Sequence, residues 1–315
     1  MAVDGNDYSQ DILVPDIDEP REYKLTPLDG SSAGRSNCQF VFFYALPRKR
    51  HAEVSKQLQI SFYQTMRHYP IFYGRLDETE NELASRFEKE YARTEGLPYW
   101  IAWLKELLSI PCVYAGIAPF VKFVVTWCVD GLGILFSIDH LVADGVSIDI
   151  LMNQWAATAR GQPLRPIDYD HDGRDLAGLR DYVGNAVCPV HMSISLEELK
   201  RSLADVGRFI APQWLAFSHK MLDSEWFAKF LAMFANPMAS QLTVSNISRL
   251  GFYQADFGFG PLVHMTQYPV LAPGFSVLHP LSPGGSIHIL WNIAKDVFER
   301  LKADSLFCRC VDIIF

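Results

Sequence analysis

The chain is short of charge, and of positive charge most of all. Charged residues fill 20% of its 315 positions, and 28 Lys and Arg stand against 36 Asp and Glu, a formal net charge of −8. A role in nonspecific binding of nucleic acid or of an anionic membrane needs a basic face, which this balance does not supply. A local basic patch for a phosphorylated ligand is still compatible with it. Cysteine is equally unhelpful: six residues (Cys38, Cys112, Cys128, Cys188, Cys308, Cys310) are scattered, with no Cys-x-x-Cys pair and no histidine at zinc spacing. Cys308 and Cys310 are too few to make a metal site alone. The acidic, polar N-terminus is not built as a signal peptide, so reduced thiols and a cytoplasmic location are expected. The one long apolar run, Ile110–Val129, carries a single charge at Lys122, but Pro111, Gly116 and Pro119 break it. It reads as buried strands and not as a membrane span. Internal repeats and low-complexity segments are absent.

What is present is apolar bulk. Hydrophobic residues make up 49% of the chain, enough for a large core, and the length predicts two domains of ordinary size. Residues 1–24 read as an acidic surface arm. Cys38–Leu46 (CQFVFFYAL) predicts a buried strand. Val54, Leu58, Phe62 and Met66, four apart, predict one face of a helix over His51–Tyr69. Pro70 ends that helix, and Ile71–Leu76 predicts the next strand. Ser85–Leu108 reads as mostly helical. Asp168, Asp170, His171 and Asp172 form an acidic cluster on no regular element, which favours a solvated turn over a metal site. Further on, Tyr182–Val187, Gln241–Ser245, Ser276–Leu281 and Ser286–Ile293 read as strands. Ser195–Gln213, Asp223–Ala235 and Asp296–Asp304 read as helices, the first opened by a Ser195/Glu198 capping box.

The stretch Val121–Trp155 organises the rest. Val121–Val129 and Leu132–Ile138 are strand-like, and Asp130-Gly131 between them is the dipeptide of a tight primed turn. The second strand ends at Asp139-His140, followed by Asp144-Gly145 and a helix from about Ser147 to Arg160. A histidine at the end of a buried strand, ahead of a helix start, is held on a rigid element as a general base must be.

His140-Leu-Val-Ala-Asp144-Gly145 together with Asp256-Phe-Gly258-Phe-Gly260 resembles the paired motifs of the BAHD acyl-CoA-dependent acyltransferases, His-x-x-x-Asp and Asp-Phe-Gly-Trp-Gly. YKLTPLD, HYPIFYGRL, WAATARG, YVGNAV and SPGGSIHILWNI are similar to family segments in the same order. The resemblance implies an α/β (α+β) fold of two chloramphenicol-acetyltransferase-like domains with mixed sheets and flanking helices, here 1–165 and 166–315, the second incomplete. It implies His140 as general base between an acyl-CoA co-substrate and a small alcohol or amine acceptor, in a monomer without bound cofactor or metal. Asp144 would be structural, held by an arginine, for which Arg174 is the candidate. Gly145, Asp256, Gly258 and Gly260 would support the site. Ser245 and Asn246 would contact the oxyanion or substrate.

Three departures stand out. Phe259 replaces the motif's Trp, keeping the ring and losing an indole donor. Asp139 precedes His140 where related condensation domains carry a second His. Only Gln162–Gly173 separates the helix from the arginine-bearing segment, where the family has a long crossover. Two other readings therefore stay open: an inactive relative that binds CoA or a partner, and a condensation-type module working on carrier-bound acyl groups.

Overall fold

The computed structural model of the chain describes residues 9–13, 37–73, 120–140, 142–166, 183–184, 195–202, 204–208, 211–212, 242–267 and 274–312. Among them two sheets form. Strands β1 (Ser9–Leu13), β2 (Asn37–Ala45), β3 (Val121–Cys128) and β4 (Gly131–Asp139) belong to the first, and helices α1 (His51–Met66) and α2 (Gly145–Ala159) pack together beside it. Strands β5 (Thr243–Asn246), β7 (Phe275–Leu281) and β8 (Ile287–Trp291) make the second, followed by helix α3 (Lys295–Ala303). Strand β6 (Leu262–Gln267) lies between β5 and β7 in sequence, yet it pairs with β2, giving the first sheet the order β1-β3-β4-β2-β6.

The first sheet is antiparallel throughout. Every residue of β4 is buried, as its unbroken apolar run requires. One face carries Phe40, Phe42 and Tyr44 from β2, Phe123 from β3 and Phe136 from β4. Against it α1 places Leu58 and Phe62, and α2 places Leu151 and Trp155. The rings of Phe62, Phe123 and Trp155 meet edge to face at 4.9–5.4 Å. Each such ring contributes roughly 2–3 kcal/mol by leaving water. The Trp155 indole donates to Ser61 Oγ at 3.0 Å, so the polar atom inside this cluster is satisfied.

Several elements depart from expectation. Residues 9–13 are no loose arm: their backbone pairs with β3 in register Ser9↔Trp127, because an open sheet edge templates pairing whatever the side-chain pattern. The β3–β4 hairpin exists, but Val129 and Asp130 are its two loop residues, and neither they nor Gly131 has positive φ. Gly131 begins the strand, and Leu46 N–H donates to the Asp130 carbonyl at 3.0 Å, which ties the loop to the end of β2 without a primed turn. Pro70–Tyr73 is a 3-10 turn and no strand; Tyr69 and Phe72 stack their rings at 5.5 Å, a pairing that three residues per turn brings onto one side. The capping box at Ser195 is present, but its helix stops at Leu199, and Ser202 Oγ accepts from Asp205 N–H to begin another turn. The expected helices Ser85–Leu108 and Asp223–Ala235 lie outside the described residues.

In the second sheet β5 and β7 run parallel and β7 and β8 antiparallel. Ser245 sits opposite Val277, on the face that also carries His279. On the other face Val244, Ile289 and Trp291 are exposed. A seam of histidines marks where the sheets approach. His264 on β6 stacks on Phe43 of β2 and lies 5.2 Å from His288 on β8, ring centre to ring centre. His279 on β7 is buried, with its Nε2 unpartnered among the described residues.

Candidate active site

The turn that carries His140 is fixed at both ends. Asp139 N–H donates to the Phe120 carbonyl at 2.9 Å, and Val142 N–H to the Asp139 carbonyl at 3.2 Å. His140 is half-buried, and its Nδ1 lies inside with no hydrogen-bond partner among the described residues. Burial holds its imidazole below the ordinary histidine value, and the Asp144 carboxylate and the carbonyls of His140 and Ala143 pull upward without overcoming it. The ring is therefore neutral at pH 7, the state a general base must occupy before it acts. Cys38 beneath the turn offers no competing nucleophile: burial, then the charges of Asp144 and Asp139, push its thiol far up, so the thiolate is not formed.

Asp144 is the N-cap of α2. Its backbone is extended, and its Oδ1 accepts from Ser147 N–H at 2.9 Å and from Ser147 Oγ at 3.0 Å. A capping carboxylate both satisfies an orphan donor and meets the positive end of the helix. Gly145 follows where a Cβ would come within 3.1 Å of Leu250 and 3.4 Å of Ile247, so the start of α2 presses against the chain leaving β5. That brings Ser245 and Asn246 into the neighbourhood of this turn through Ile247. Ser245 is half-buried; Asn246 is exposed and turns its Oδ1 back to Ser248 N–H.

The second motif sits at the other end of α2. Gln57 of α1 donates from one amide nitrogen to the carbonyls of Ala159 and Phe257, both at 2.9 Å, and Tyr44 Oη donates to the Ala255 carbonyl at 2.8 Å. Phe257 is fully buried, edge-on to Trp155 at 4.8 Å and stacked on Phe259. Asp256 Oδ1 accepts from Gly258 N–H at 2.8 Å. Gly258 has φ +89° and Gly260 φ +137°, conformations that glycine adopts without strain. With 1.5 Å per residue, α2 spans about 20 Å between Gly145 and Ala159, so the Asp-Phe-Gly-Phe-Gly loop braces the scaffold at a distance from His140.

Sequence reasoning passes over Ser147, Gly184, Gln57 and Asp149. Asp149 accepts from Gly251 N–H and Asn153 Nδ2, both at 2.9 Å; burial raises its carboxyl and those two bonds oppose the rise. The Asp149–Gly251 bond is legible only as an Asp one turn into a helix. Arg174 and the acidic cluster 168–172 lie outside the described residues. Among the described residues no group of three or more His, Cys, Asp or Glu is placed to hold a metal ion, and no helix is long and apolar enough to cross a membrane.

No protein-family model and no curated protein sequence matches the chain. Solved structures do. Vinorine synthase superposes with a TM-score of 0.62 at 14% identity, over 96% of this chain and 98% of that one. TRI101 of F. sporotrichioides, complexed with coenzyme A and T-2, gives 0.58 at 12% identity, over 90% and 97%. Apo TRI101 of F. graminearum gives 0.56 at 10%, over 96% and 98%. At such identities the likeness establishes the fold: a mixed α/β arrangement of two sheets with flanking helices, as the resemblance implied.

Proposed function

We propose that this chain is a BAHD-type acyltransferase that moves an acyl group from acyl-CoA to the hydroxyl or amine of a small molecule, with His140 as general base. The observation that carries the reading is the placement of His140 at the end of buried β4, immediately before the capped start of α2. It is supported by the shared fold, in which TRI101 holds coenzyme A with T-2. In this scheme His140 takes the proton from the acceptor O–H or N–H as that atom attacks the thioester carbonyl. The tetrahedral oxyanion then collapses, the C–S bond breaks, and the imidazolium returns its proton to the departing CoA thiolate. Ser245, two residues before the Ile247 that touches Gly145, is our candidate donor to the oxyanion. We also assign Arg174 as the charge partner of Asp144, and residues 1–165 and 166–315 as the two domains that flank the reaction, with β6 crossing from the second to the first.

A second reading, a relative that binds CoA or a partner without turnover, is favoured by one observation: the apolar face of the second sheet, with Val244, Ile289 and Trp291, is exposed. One assay separates the two. A panel of acyl-CoA donors is offered with mixed alcohol and amine acceptors, and release of CoA thiol is followed for the wild type and His140→Ala. Acceptor-dependent release that His140→Ala abolishes, with unchanged thermal unfolding, is the expected result. Silence from a folded wild type that still binds CoA refutes the enzyme reading in favour of the second.

A further inference from the structure

The start of α2 carries a buried contact that the reaction scheme does not use. Ser147 is fully buried, and its Oγ lies 2.7 Å from the Gly184 carbonyl, 3.0 Å from Gly184 N–H and 3.0 Å from Asp144 Oδ1. A serine hydroxyl has one proton to give and lone pairs to receive. The Gly184 carbonyl and the Asp144 carboxylate share that one proton, the carbonyl at the shorter distance, while Gly184 N–H donates to the same Oγ. The Gly184 carbonyl also accepts from Asp144 N–H at 3.1 Å. Gly184 is thus gripped by one hydroxyl and one amide, as a neighbouring strand would grip it. The segment that holds Gly184 lies 37 residues beyond Ser147 in sequence, past the chain that leaves α2.

Asp144 and His140 sense each other electrostatically, so whatever sets the position and solvation of the Asp144 carboxylate also sets the potential at the imidazole. Two of that carboxylate's contacts come from Ser147, through its backbone N–H and its hydroxyl. We propose that Ser147 is a positioning residue: by clasping Gly184 it fixes Asp144 and the turn that carries His140, and so tunes the basicity of His140. The proposal deepens the acyltransferase reading and rests on it for its consequence in turnover, though the clasp and its effect on the imidazole can be measured without turnover.

The test compares wild type, Ser147→Ala and Ser147→Thr. The His140 imidazole is titrated by NMR, its resonance assigned by its loss in His140→Gln, and acyl transfer is measured on the same samples. Ser147→Ala removes a donor from the carboxylate, which leaves its charge less compensated. The His140 titration then moves to higher pH, and kcat falls roughly ten- to a hundred-fold with KM for acyl-CoA unchanged, as a displaced base predicts. Ser147→Thr, which keeps the hydroxyl, restores both. An unmoved His140 titration in a folded Ser147→Ala protein overturns the proposal, because a purely structural serine would change stability alone. If Ser147→Ala does not fold, Ser147→Cys takes its place, being of similar size with weaker hydrogen bonds: a shifted titration supports the clasp and an unmoved one overturns it. A wild type without acyl transfer refutes the reaction and leaves the titration to decide the clasp separately.

Discussion

Acid should weaken the seam of histidines between the sheets, and His279 gives the effect a size. Burial, then the neighbouring His288 and His264, lower its pKa from 6.5 to about 4. In the unfolded chain the same imidazole titrates near the ordinary value. As pH falls through 6.5 the unfolded state takes a proton that the folded state refuses until about pH 4. Stability is unaffected above 6.5, is lost progressively between 6.5 and 4, and the loss is complete below. Converted at 1.36 kcal/mol per pH unit, the gap is worth about 3 kcal/mol. His279→Gln removes this titration. Its packing penalty is nearly the same at both ends of the range, so it cancels when each protein is compared with itself. Urea unfolding followed by circular dichroism at pH 7, 5.5 and 4 gives the two differences. Wild type should lose about 3 kcal/mol more than His279→Gln between pH 7 and 4, with carboxylate protonation common to both. Parallel curves, within about 0.5 kcal/mol, would refute the claim that His279 stays neutral in the folded state.

The cap at the start of α2 makes a graded prediction. Asp144→Ala loses the acceptor and should cost at least about 1–2 kcal/mol in chemical denaturation, whereas Asp144→Asn keeps it. If Arg174 is the partner we assign, Asp144→Asn nevertheless loses about 3–5 kcal/mol, and Arg174→Met adds little in that background; additive losses would sink the pairing. At the far end of the helix, Gly258→Ala must hold φ at +89°. That should cost about 1–2 kcal/mol and lower the melting temperature while acyl transfer at saturating substrate stays unchanged. An unaltered melting temperature contradicts the strain argument.

The parts of the fold that sequence makes readable are those whose pattern is local. The four-residue spacing of Val54, Leu58, Phe62 and Met66 marks α1, and the apolar runs on either side of the Asp-Gly mark β3 and β4. Strand β6 is hidden because LVHMTQ has no clean alternation: Leu262 and Met265 are buried three apart, across a register shift opposite Phe43 and Tyr44. Its strand character comes from the free edge of β2. The turn at residues 129–130 departs from its dipeptide for a related reason, since a local preference cannot see that Leu46 already holds the Asp130 carbonyl. In the site, the position of His140 at a strand end is legible. The grip of Ser147 on Gly184 is not, because its partner is a backbone group that no side-chain pattern announces.

The pairing of β6 with β2 also sets a timetable. Tyr44 and Leu262 face each other across about 220 residues of chain. At 5–20 residues per second, β2 leaves the ribosome roughly ten to forty seconds before the strand that completes its edge. During that interval the nascent N-terminal half presents the aromatic strand 37–45 with one row of backbone groups unmet. A second nascent chain in the same polysome offers the same unmet edge, so early pairing between copies competes with the late arrival of β6. Yield of native protein should therefore depend on the rate of translation beyond α2, and a pause after residue 165 should favour aggregates built on β2.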